Sequence, residues 1–105
     1  FKPPALVALF GKLESIVTGF GAVEVVTRDR YALFRTTRIF VDLTVRTDAL
    51  RVVIHLDREV RSPLVEAVGR SVKRVSHVAT IRSVAELRKI TPLLRDAHEL
   101  AAGEE

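Results

Sequence analysis

Between Arg38 and Asp57 the chain reads RIFVDLTVRTDALRVVIHLD. Ile39, Val41, Leu43 and Val45 recur at every second position, and so do Leu50, Val52, Ile54 and Leu56. Side chains two residues apart share one face of a strand, so this spacing predicts two half-buried strands and excludes an amphipathic helix. With Thr47 and Asp48 as turn residues, Val45 falls opposite Leu50, Leu43 opposite Val52, Val41 opposite Ile54 and Ile39 opposite Leu56. A slip of one residue would turn that whole apolar set to the wrong side. The same register predicts the second face, with Arg38 opposite Asp57, Phe40 opposite His55, Asp42 opposite Val53 and Thr44 opposite Arg51. Mixed charge with one aromatic is how a half-buried antiparallel sheet meets water.

Other elements follow from local pattern. Leu6, Leu9, Phe10, Leu13, Ile16, Val17 and Phe20 have helical spacing, and Pro4 suits a first turn, which predicts a helix over 4–18. Gly19 and Gly21 end it. VEVVTR and YALFR then read as two short strands with Arg28, Asp29 and Arg30 at the hairpin tip. Residues 63–68, PLVEAV, read as a short helix or turn closed by Gly69, after which Val75, His77, Ala79 and Ile81 mark one side of a further strand. Ser83 and Glu86 have capping-box spacing. Because proline fits a first turn and not a helix interior, Pro92 predicts a final helix that starts near Thr91 and buries Leu94, Ala97, Leu100 and Ala101. The expected fold is α+β: a mainly antiparallel sheet of four to five strands, packed on one face by N- and C-terminal helices.

At 105 residues and 48% hydrophobic, the chain suits one domain with its own core. No apolar run approaches the roughly 18–20 residues that span a bilayer. Cysteine is absent, which excludes disulfides, zinc-thiolate sites and thiol nucleophiles together. A cytoplasmic location is the expectation. The chain opens FKPP and contains no methionine, so we expect a segment of a longer chain. From Arg28 to Arg82 there are twelve Arg/Lys against six Asp/Glu, while the two ends together carry five against seven. The basic middle suits phosphate or acidic partners.

No motif names a reaction. His55 and His77 lie on predicted strands and would meet only if those strands are neighbours; as a metal pair they lack further ligands. Asp42 is the one strand-interior acid on the polar face, and an arginine partner is expected for it. Ser71, Ser76 and Ser83 have neither a nucleophile-elbow context nor a placed base. GFGAVEVV runs glycines then strand, the reverse of a dinucleotide-binding turn.

The order of elements and the phrases RYALFRTTRIFVDLTVRTDALRVVIHLD and RVSHVATIRSVAELRKITPLLRDAHELA resemble the small bacterial domain of unknown function 5655. The likeness runs from the first helix to AHELA, and Arg30, Tyr31, Phe40, His77 and Ala97 match its features best. His98 stands where that family more usually has tyrosine. The resemblance implies an α+β fold in a cytoplasmic bacterial protein and carries no catalytic signature.

The expected function is therefore a non-catalytic interaction or accessory domain, contacting a partner protein or a second copy of itself through a polar, arginine-rich sheet face. Its expected residues are Arg30, Tyr31, Arg35, Arg38, Phe40, Arg51, His55, Lys73, Arg74 and His77. The alternative is a nucleic-acid-binding module that uses the same face, since arginine with an exposed aromatic can grip phosphate and stack on a base. An enzyme ranks third and would need His55, His77 and Asp42 to converge. No cofactor, metal or membrane is implied.

Overall fold

The computed structural model describes residues 4–103. Helix α1 (Pro4–Thr18) is followed by strands β1 (Glu24–Thr27), β2 (Tyr31–Arg35), β3 (Ile39–Val45), β4 (Leu50–Leu56), β5 (Val65–Arg70) and β6 (Val75–Ile81), and helix α2 (Val84–Ala102) closes the chain. The strands form one antiparallel sheet in the order β1-β2-β3-β4-β6-β5. Both helices pack on one face, and Leu6, Leu9, Leu13 and Val17 of α1 share a single core with Leu87, Ile90, Leu94, Ala97 and Ala101 of α2. Among the described residues no helix is long and apolar enough to cross a membrane.

The central hairpin has the expected register over Val41–Ile54, Leu43–Val52 and Val45–Leu50. Its turn closes through Arg46 N–H donating to the Ala49 carbonyl at 2.8 Å, and no described non-glycine residue has positive φ. The β1–β2 tip closes through Arg28 N–H donating to Tyr31 O at 2.7 Å.

Three expectations are corrected. First, β3 carries a bulge: Phe34 pairs with Val41 and Arg35 with Ile39, so Phe40 is an extra residue. An inserted residue reverses the alternation beyond it. Phe40 consequently turns to the helix side and is fully buried, its ring edge-on to His98 of α2 at 5.3 Å, whereas Ile39 turns to the other face and is 37% exposed. Neither Phe40–His55 nor Ile39–Leu56 is formed as a pair. Second, residues 65–70 are the edge strand β5 and not a helix. Val65 pairs with Ala79 and Ala67 with His77 on the core side, so two apolar residues at strand spacing suffice to seat an edge.

Third, the last helix begins at Val84 and runs through Pro92. Ser83 caps it, its hydroxyl accepting from Glu86 N–H at 3.2 Å, and the Glu86 carboxylate accepts from Arg82 N–H at 2.7 Å. Pro92 is exposed, so the Arg88 carbonyl that lacks its N–H partner can meet water instead. Burial of Leu87 and Ile90 against the sheet outweighs the proline penalty. Pro92→Ala is expected to raise stability by about 1–2 kcal/mol in urea unfolding, since proline inside a helix costs up to ~3 kcal/mol. An unchanged or lower stability would mean that Pro92 sits in a first turn after all.

Candidate functional site

Cross-strand partners lie on the same side of a sheet, so the strand register defines the face that carries no helix. One row crosses it as Tyr31, Thr44, Arg51 and Thr80. The next runs Val26, Leu33, Asp42, Val53, Val78 and Glu66. Beyond it lie Glu24, Arg35 and Ile39 on one side and His55, Ser76 and Gly69 on the other. Val26, Leu33, Val53 and Val78 are half-buried, and Asp42 interrupts their row.

At the centre of this face three strands contribute to one hydrogen-bonded chain. His55 Nε2 lies 3.1 Å from Asp42 Oδ2, and His55 Nδ1 lies 3.0 Å from Ser76 Oγ. A carboxylate only accepts, so Nε2 carries the proton and Nδ1 is left to accept from the serine hydroxyl. The His55 and Asp42 side chains retain 22% and 21% of their exposure, so the chain is shielded yet reachable. Asp42 thus pairs with histidine where an arginine was expected. Ser76, read from sequence as lacking a base, has one, because β6 lies directly beside β4 and places Ser76 opposite His55.

His77 does not join them. Its neighbour across the ladder is Ile54, so its ring points to the helix side and is fully buried. There Nδ1 donates to the Val75 carbonyl at 3.1 Å and Nε2 accepts from Val60 N–H at 2.9 Å. Both ring nitrogens are committed to backbone, which makes His77 a structural pin between β6 and the loop that leads to β5. His55 and His77 are on adjacent strands but opposite faces.

The remaining expected residues are spread out. Tyr31, Arg35 and Arg51 lie on the open face, with Arg30 at one end of the sheet and Lys73 and Arg74 in the β5–β6 turn at the other. Burial, and then the nearby Asp42 carboxylate, raise the Tyr31 phenol above its ordinary range, so it stays protonated and can donate. Arg38 is lowered by burial, and Arg74 by burial and the charge of Arg38, with Asp57 opposing. These directions place Arg38, Arg74 and Asp57 in one electrostatic neighbourhood. Arg35 faces Glu24 at 3.6 Å, Arg70 faces Glu59 at 2.7 Å and Arg58 faces Asp96 at 2.9 Å. No group of three potential metal ligands occurs among the described residues.

The architecture is that of an α+β domain in which a six-stranded antiparallel sheet is covered by helices on one face and presents a mixed apolar and charged surface on the other. The chain belongs to the family described as a domain of unknown function (DUF5655), whose model matches residues 1–101. Neither a curated protein nor a solved structure matches it significantly.

Proposed function

We propose that this domain is an interaction module that docks a partner protein on the open face of its sheet. The observation that carries the reading is the interrupted apolar row of Val26, Leu33, Val53 and Val78 on a face that neither helix covers. Apolar side chains grouped on a surface and rimmed by charge favour protein contacts over plain solvation. A second copy of the chain is the occupant that this surface suits by charge. Glu66 and Arg51 share the face outside the ion pairs of Arg35 with Glu24 and His55 with Asp42, so two copies can oppose unlike charges through one twofold axis.

The nucleic-acid alternative has less to support it. Phe40, its stacking residue, is in the core, and Arg35 and Arg70 already face carboxylates. Sedimentation velocity across a concentration series separates the readings. A reversible dimer is expected, and Val53→Lys should return it to monomer while far-ultraviolet circular dichroism shows the sheet intact. A monomer at every concentration, together with salt-sensitive binding of labelled oligonucleotides, would favour the phosphate-binding reading, because counterion release makes such binding fall steeply with salt.

A further inference from the structure

The Asp42–His55–Ser76 chain contains the parts that nucleophilic catalysis requires: a hydroxyl, a base within hydrogen-bond reach of it, and a carboxylate that fixes the base's tautomer. Such a constellation is recognised by geometry and roles, not by sequence order or fold. Two further features favour access to the hydroxyl. Ser76 pairs on its outer side with Gly69, which has no side chain, and a Cβ built there would stand 3.9 Å from the Ser76 Cβ. Immediately beside this pair β5 is bulged, Val68 being left out of the register between Ala67 and Gly69. Bulges break the ladder locally and are enriched next to active sites. The serine is thus flanked by a gap and by irregular backbone instead of by a regular packed strand.

We propose that Ser76 is an activated nucleophile toward acyl esters, with His55 as its general base and Asp42 as the positioning residue. Ser76 Oγ attacks the ester carbonyl carbon as its proton passes to His55 Nδ1. The tetrahedral intermediate collapses, the bond from carbonyl carbon to alcohol oxygen breaks, and the alcohol leaves with the proton from Nδ1. Water then attacks the acyl-serine and gives a proton to Nδ1. That proton returns to Ser76 Oγ as the carboxylic acid departs. The open setting fits a small, surface-presented ester.

The test uses a fluorophosphonate probe, with peptide mapping by mass spectrometry, beside hydrolysis of p-nitrophenyl acetate. Labelling is expected at Ser76 and not at Ser71 or Ser83, and p-nitrophenyl acetate should be cleaved above the uncatalysed rate. Ser76→Ala should abolish both readouts, and His55→Gln should lower the rate by about 100-fold, the scale of a lost general base. Asp42→Asn should lower kcat while circular dichroism shows the variant fully folded, since a partly unfolded sample would also lose apparent kcat at unchanged KM. Urea unfolding of each variant confirms that the sheet persists. Labelling spread evenly over the serines, or undiminished in folded His55→Gln, overturns the proposal. Labelling is read at a dilution where sedimentation shows the domain monomeric, so its failure there leaves the docking reading standing, and a domain that stays monomeric at every concentration yet labels at Ser76 separates the two in the other direction.

Discussion

Phe40→Ala is expected to lower the stability of this domain by about 3–5 kcal/mol, the range for truncating a fully buried phenylalanine. The effect combines lost transfer energy, the cavity left under α2 and the edge-on contact with His98. Against a total that for a domain of this size is about 5–15 kcal/mol, the variant should be close to unfolding at ambient temperature. Urea unfolding followed by far-ultraviolet circular dichroism measures it. The alternation that puts Phe40 on the open face predicts a change within roughly 0.5 kcal/mol, as for other surface substitutions. The two outcomes differ by several kcal/mol, so one variant tests the bulge in β3 directly.

The second large effect is expected at His77. Replacement by leucine preserves most of the buried volume but leaves the Val60 N–H without its acceptor and the Val75 carbonyl without its donor. A buried polar group stranded in this way costs about 1–3 kcal/mol, and with two such groups the variant should lose ~2–4 kcal/mol. Amide exchange gives an independent readout. The Val60 amide should be protected in the native chain and exchange faster in His77→Leu, and His77→Gln, which keeps an acceptor and a donor, should recover part of both. If leucine were tolerated and the Val60 amide unchanged, His77 would not be the pin that holds the loop before β5.

These residues also show where a local pattern stops being informative. The face of Val41, Leu43, Leu50, Val52, Ile54 and Leu56 follows from period-two spacing alone, because successive side chains on an extended backbone must alternate. Phe40 breaks the rule by one inserted residue, and nothing in FVDL announces a bulge. The insertion is stabilised by what lies above it, the pocket between β3 and α2 that takes the ring. Pro92 is a similar case: the local cost argues for a helix start, and the tertiary burial of Leu87 and Ile90 overrides it.

The candidate site divides in the same way. Asp42 and His55 belong to the polar side of their hairpin by register alone, although their diagonal contact was not anticipated. Ser76 joins them only because β6 inserts between β4 and β5, so that the sixth strand and not the fifth lies beside the fourth. That adjacency also separates His55 from His77 onto opposite faces, since neighbouring residues on a regular, unbulged strand point apart.

Local preferences account for helix α1, the two early hairpins, the strand that carries His77 and the cap at Ser83. Hydrophobic period, turn residues and capping act over a few residues, and each can be satisfied without reference to the rest of the chain. Packing between distant segments sets the order β4-β6-β5, the inward turn of Phe40, the helix through Pro92 and the meeting of Asp42, His55 and Ser76. Those outcomes depend on which arrangement buries the most apolar surface while pairing every strand, a free energy summed over contacts between distant residues.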